Sequence, residues 1–119
     1  SEQFDQFLVG HAQRSYYGPL LKAGVRIHLY RKPRMLHSKY MVVDGSLCII
    51  GSSNMDVRSF GLNYEIVLVA DSSRLVEMLH GNDERTREAS RELTYEEWHG
   101  QPWHVHYVDN VCRLGSSLL

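Results

Sequence analysis

The sequence predicts an α/β domain, a mixed β-sheet with flanking helices, on three observations. Apolar residues recur at helical spacing near the start, and two short apolar runs flank Asp44-Gly45-Ser46. A nearly continuous apolar run over 64–70 then gives way to a second stretch of helical character.

The elements follow in order. Phe7, Leu8, Ala12, Tyr16 and Leu20 space out a helix over 6–23, which Gly18-Pro19 should kink or restart and Gly24 should stop. Residues 25–30 alternate, with Val25, Ile27 and Leu29 on one face, and predict a strand; Lys32-Pro33-Arg34 is a loop. Residues 39–43 and 47–50 are the arms of a hairpin turning at Asp44-Gly45-Ser46. The run over 64–70 fits a strand buried on both faces.

Asp71-Ser72-Ser73 can cap a helix carrying Leu75, Val76 and Leu79, which His80-Gly81-Asn82 should interrupt before a second charged piece ending near Leu93. Thr94 and Glu97 have capping-box spacing ahead of Trp98. Pro102 should open a last helix with Trp103, Tyr107, Val111 and Leu114 toward the core.

A chain of 119 residues supports one hydrophobic core, and 43% apolar with 10% aromatic content excludes a disordered polymer. No run approaches the roughly 20 apolar residues of a membrane span, and no leader-like start is present, so this segment is expected to be soluble. A start at Ser1 is what a piece of a longer chain would have. Cys48 and Cys112 are too few and too far apart for a disulfide scaffold and read as reduced, buried thiols.

The net charge of −1 hides an asymmetry: seven bases and no acid lie within 6–43, against eight acids and four bases within 71–97. The first third thus favours an anionic ligand, with a plain solvated surface as the alternative. The acidic second half and a pI near 6.6 argue against a nucleic-acid surface.

The chemistry concentrates in one stretch, H-x-K-x4-D-x6-G-S-x-N, formed by His37, Lys39, Asp44, Gly51, Ser52 and Asn54. His37 and Lys39 are two apart and share a face of an extended segment. The hairpin can return Asn54 to that face. An imidazole can attack phosphorus or move a proton, while Lys39 and Asn54 hold the non-bridging oxygens and Ser52 adds a hydroxyl. Glu65 is the best candidate for the carboxylate that orients His37. No metal or other cofactor is required, because Lys39 and its neighbours supply the positive charge.

These residues resemble the phospholipase D superfamily, whose motif is H-x-K-x4-D. The likeness extends through Arg14-Ser15-Tyr16-Tyr17, Ala23-Gly24-Val25-Arg26-Ile27, Leu36-His37-Ser38-Lys39, Asn54-Met55-Asp56-Val57-Arg58-Ser59-Phe60 and Leu62-Asn63-Tyr64-Glu65. With Glu97-Trp98, Pro102-Trp103 and the ending from Leu114 to Leu119, it is similar to the C-terminal half of bacterial cardiolipin synthases. The resemblance implies that residues 1–119 are the second catalytic lobe, short of a strand at its start, with 94–119 as the helical tail of that lobe. It implies that His37 is one of two histidines, that Lys39, Asn54 and Ser52 bind phosphate, and that Glu65 orients His37. Asp44 matches the motif's aspartate, with a turn-stabilising role weighed above a chemical one.

The implied reaction transfers a phosphatidyl group from one phosphatidylglycerol to another through a histidine-bound intermediate. Which histidine takes the phosphatidyl group stays open, though the second motif more often supplies the acid and base. The implied partners are anionic phospholipid, a missing first lobe or a second copy of the chain, and a membrane surface reached through the parent protein. The implied location is the bacterial cytoplasmic membrane. Two alternatives stand beside it: a homodimeric phospholipase D, phosphodiesterase or nuclease, and a catalytically silent phosphate-binding module.

Other residues invite weaker readings. His99, His104 and His106 match no strong zinc spacing and read as surface or interface groups; His11, His28 and His80 read as structural or solvated. Tyr16 and Tyr17 fit core packing or the border of a headgroup site. Arg58 fits an ion pair or a substrate contact.

Overall fold

The computed structural model describes residues 1–2 and 7–115, so the expected helix start at residue 6 and the last four residues, 116–119, lie outside it. The elements run α1 (Phe7–Arg14), α2 (Tyr17–Lys22), β1 (Ile27–Tyr30), β2 (Tyr40–Val43), β3 (Leu47–Gly51) and α3 (Val57–Gly61). They continue with β4 (Val67–Asp71), α4 (Ser73–Glu88), β5 (Ser90–Leu93), α5 (Tyr95–His99) and α6 (Trp103–Leu114). This is the α/β class that the sequence predicts, with the strands in two small antiparallel sheets, β1-β5 and β2-β3-β4. The chain divides into two compact units, one of Ser1–Met35 with Ala89–Leu119 and one of Leu36–Glu88.

In the first unit the helical run breaks at Ser15-Tyr16 rather than at Gly18-Pro19. Pro19 falls in the first turn of α2, where a missing N–H breaks no intrahelical bond. The stop at Gly24 forms as expected: Gly24 N–H bonds Leu21 O and Val25 N–H bonds Leu20 O, the paired bonds of a Schellman ending. β1 pairs with β5 in the register Ile27↔Leu93 to Tyr30↔Ser90. Tyr17, Leu29, Leu93 and Trp98 form the core of this unit, with Leu21 and Ile27 packed against it. The Tyr17 and Trp98 rings meet edge-on, centroids 5.7 Å apart. Thr94 caps α5 as its spacing predicts, its hydroxyl accepting the Glu97 N–H at 3.2 Å.

Two expectations for this unit are corrected. The end of the expected charged helical piece, Ser90–Leu93, is β5 instead, because its backbone completes the ladder with β1. On α6, Trp103, Tyr107, Val111 and Leu114 are exposed, and Asp109 and Cys112 are buried instead. The cause is a buried charge cluster. Asp109, 1% exposed, takes His11 Nδ1 at 2.5 Å and Arg14 Nε at 3.4 Å, both from α1. A carboxylate at that depth needs such partners, so the cluster sets the rotation of α6 against α1.

In the second unit the hairpin forms at the expected place. β2 and β3 pair from Tyr40↔Ile50 to Val43↔Leu47, and Ser46 N–H closes the turn on Val43 O at 3.2 Å. Asp44 (φ 51°) and Gly45 (φ 67°) both take the left-handed conformation that a tight hairpin turn of this hand needs. β3 also pairs with β4, and α4 packs on β3, where Cys48 and Val76 are buried. Both cysteines are free, buried thiols, as expected.

β4 departs from expectation. It is an edge strand, and Val67, Leu68 and Val69 are about half exposed, with Ile66 at 84%. It pairs with β3 alone among the described residues, which leaves its other edge without a strand partner there. α4 also runs through His80-Gly81-Asn82 without interruption. A helical glycine costs only about 1 kcal/mol. Two side chains just after Gly81 anchor the helix: Tyr40 on β2 accepts from Asn82 Nδ2 at 2.7 Å and donates to Asp83 Oδ1 at 2.5 Å. No described helix is long and apolar enough to cross a membrane.

Candidate active site

Three segments of the second unit converge on one end of the β2-β3-β4 sheet. His37 and Ser38 lead into β2, Ser52 to Asn54 leave β3, and Glu65 and Ile66 lead into β4. The register makes this convergence unavoidable: Gly51 N–H bonds Lys39 O at 3.1 Å, and Ser52 N–H bonds Ile66 O at 3.0 Å. Gly51 permits the close approach of β4, since a Cβ there would stand 2.3 Å from Ile66 O.

At this end the Lys39 ammonium lies 3.0 Å from His37 Nε2 and also reaches His37 O at 3.3 Å. A charged lysine donating to Nε2 leaves the ring proton on Nδ1. The sequence-expected pairing of imidazole and ammonium on one face is therefore present. His37 is exposed and Lys39 half-buried.

Ser52 and Glu65 form a second pair. The Ser52 hydroxyl donates to Glu65 Oε2 and accepts the Ile66 N–H at 3.0 Å. Glu65 is held below the ordinary carboxylate range, first by the Ser52 hydroxyl, with further help from Ser59 and Asn63, against the opposing effects of desolvation and of the Asp56 charge. Ser52 thus spends its proton on a carboxylate. Among the described residues no hydrogen bond joins Glu65 to His37; the two share the sheet end, not a contact.

Asn54 comes third. Its backbone N–H donates to Ser59 Oγ at 3.1 Å, and the residue is exposed. Arg58 Nε donates to Asn63 Oδ1 at 3.4 Å. Asp44 is not part of this grouping. It sits at the hairpin turn, five residues along β2 from Lys39, or roughly 16 Å of extended chain.

Sequence reasoning missed the short helix α3 and its role. Asp56 caps it, Oδ1 accepting the Ser59 N–H at 2.6 Å, and this delivers the buried Ser59 hydroxyl to Asn54. An aspartate three residues ahead of a serine was the available signal.

No three His, Cys, Asp or Glu side chains converge among the described residues. His99, His104 and His106 pack instead on Tyr95, Trp103 and Trp98, with centroids 5.7, 6.2 and 5.0 Å apart.

The fold and the site define an α/β domain that gathers an imidazole, an ammonium, a carboxamide and a carboxylate at one sheet end. Comparison with known proteins places it more narrowly. Residues 1–85 match the family described as "Cardiolipin synthase, PLD-like domain", and the chain belongs to that family. It is 36% identical over 115 residues to a cardiolipin synthase of Halalkalibacterium halodurans, covering 97% of this chain and 23% of that protein. A cardiolipin synthase of Geobacillus kaustophilus is 41% identical over 116 residues, with the same coverage of 97% and 23%. Cardiolipin synthase A of Pectobacterium carotovorum is 37% identical over 115 residues, covering 97% of this chain and 24% of that protein. The chain thus spans about a quarter of the length of these relatives. No solved structure matches it.

Proposed function

We propose that this chain is the C-terminal lobe of a cardiolipin synthase-type phosphatidyltransferase and carries one half of its active site. The observation that supports this most is the contact of Lys39 Nζ with His37 Nε2, 3.0 Å, at a sheet end that also presents Asn54.

Two histidines share the work, His37 from this lobe and one from a first lobe or a second copy. The partner imidazole attacks the phosphorus of a phosphatidylglycerol, forming a P–N bond as the P–O bond to glycerol breaks. His37 in its protonated form gives its proton to the departing glycerol oxygen. It then takes the proton from the terminal hydroxyl of a second phosphatidylglycerol, whose oxygen attacks the phosphorus and expels the first imidazole. The products are glycerol and cardiolipin, and both histidines return to their starting states.

Lys39 and Asn54 bind the non-bridging oxygens, whose charge grows as the phosphorus becomes five-coordinate. An entering phosphate draws the Lys39 ammonium from Nε2, and that nitrogen takes a proton from solvent to become the acid of the first step. Glu65 keeps a negative charge at the same sheet end and holds Ser52 in place. Asp44 maintains the hairpin that aligns His37 and Lys39 with residues 52–54. The lipid substrates place the whole enzyme at a membrane surface.

The test is His37→Asn in the two-motif enzyme that contains this lobe. Cardiolipin formation is expected to vanish while the thermal melt is unchanged; retained turnover contradicts the assignment.

A further inference from the structure

Four large apolar side chains of α6 are turned to solvent: Trp103 at 78%, Tyr107 at 63%, Val111 at 48% and Leu114 at 86% exposure. At 3.6 residues per turn they fall within an arc of roughly 80°, one narrow stripe along the helix. The opposite side is fixed from behind, since Cys112 is buried there and the buried Asp109 is held by His11 and Arg14 of α1.

The charges beside this stripe have one sign. Within 102–115 the only acid is Asp109, 1% exposed, whereas the exposed polar side chains of α6 include His104, Asn110 and Arg113. The Arg113 guanidinium lies over the Tyr16 ring, 4.6 Å from its centroid, at the same end of the helix as Leu114. Trp103 and Tyr107 each join an apolar ring to an N–H or O–H, the composition found where hydrocarbon meets water.

The exposed apolar run over 66–69 is of another kind. It is flanked by Glu65 and Asp71, and the outer edge of β4 has no strand partner among the described residues. Hydrocarbon cannot satisfy the backbone of such an edge, whereas a helix satisfies its own.

We propose that the exposed face of α6 is a docking surface for an anionic phospholipid bilayer. The helix lies in the headgroup region with Trp103, Tyr107, Val111 and Leu114 toward the acyl chains, and Arg113 meets lipid phosphates. The proposal rests on the reading that the substrates are bilayer phospholipids, and adds the surface that meets the bilayer.

Phosphatidylglycerol vesicles with brominated acyl chains test this on the 119-residue chain. Trp98 is buried, so Trp103 is the accessible reporter, and vesicles are expected to quench its emission. Val111→Ser combined with Leu114→Ser keeps the reporter and should raise the half-saturating lipid concentration about tenfold or more. Arg113→Gln should weaken binding to phosphatidylglycerol about fivefold and leave binding to phosphatidylcholine unchanged. In the two-motif enzyme the double substitution should raise the vesicle concentration for half-maximal turnover, with turnover on monomeric short-chain phosphatidylglycerol unchanged. Unquenched Trp103 emission, or equal vesicle affinity of double variant and wild type, overturns the proposal. So does a two-motif double variant that melts lower or changes its oligomeric state while its vesicle dependence stays the same, because the stripe then covers another protein surface. Quenching as expected, with no cardiolipin formed by the two-motif enzyme, supports the docking surface and removes the transferase reading.

Discussion

Lys39 Nζ sits 3.0 Å from His37 Nε2, and Lys39 O accepts the Gly51 N–H at 3.1 Å, so one residue ties the imidazole to the β2-β3 ladder. The side chain that contacts the imidazole therefore stands at the entry to the β2-β3 ladder. Its removal should be costly for chemistry and cheap for folding. Lys39→Met in the two-motif enzyme is expected to lower phosphatidyl transfer by about 10²–10³-fold, as losing one preorganised charge donor does. Turnover and urea unfolding, measured side by side, separate the two effects.

Glu65 predicts a pH dependence of stability. Its folded-state value lies below its unfolded one, because Ser52, Ser59 and Asn63 stabilise the carboxylate. Its contribution is complete above the unfolded value of about 4.3 and is lost as pH falls through the lower folded value. Urea midpoints of wild type and Glu65→Gln should thus converge between neutral pH and the acid side of that window. A gap that stays constant with pH shows that the carboxylate is not stabilised in the fold.

The Tyr40 hydroxyl links β2 to α4 through Asn82 and Asp83. Tyr40→Phe keeps the ring and deletes both bonds, for an expected loss of about 1–2 kcal/mol in urea unfolding. The variant should retain its helix content, because α4 is continuous through Gly81.

Asp109 should be the most sensitive position of the first unit. Asp109→Ala leaves His11 and Arg14 without their shared buried partner, and about 3–5 kcal/mol of stability is expected to go with it. Leu114→Ala, at a residue exposed on the other face of the same helix, should change stability by no more than about 0.5 kcal/mol. The two melts together test which face of α6 is inside.

Local signals carried much of the fold. The Asp44-Gly45 turn, the Gly24 stop and the Thr94 cap each depend on a few adjacent residues, and each formed where the residues place it. The errors arose where distant partners decide. Trp103, Tyr107, Val111 and Leu114 make a clean apolar stripe, but Asp109 can be buried only against His11 and Arg14, nearly a hundred residues earlier. β5 reads as helix because only its pairing with β1 makes it a strand. β4 carries the composition of a covered strand, yet Val67, Leu68 and Val69 are about half exposed.

The site divides in the same way. The closeness of His37 and Lys39 follows from a two-residue spacing and is legible by eye. The partnership of Glu65 with Ser52 was not, because it depends on the β3-β4 register and on a close approach at Gly51. Ser59 was hidden for a different reason: a five-residue helix has too little period to be read from hydrophobic pattern.

The central claim is that His37 works as one of two histidines in phosphatidyl transfer. The most direct measurement is glycerol release and cardiolipin formation from phosphatidylglycerol vesicles by the two-motif enzyme, with and without His37→Asn. We expect both products to disappear in the variant while the melting temperature stays within about 2 °C of wild type. Undiminished cardiolipin formation by a folded His37→Asn enzyme would contradict the account.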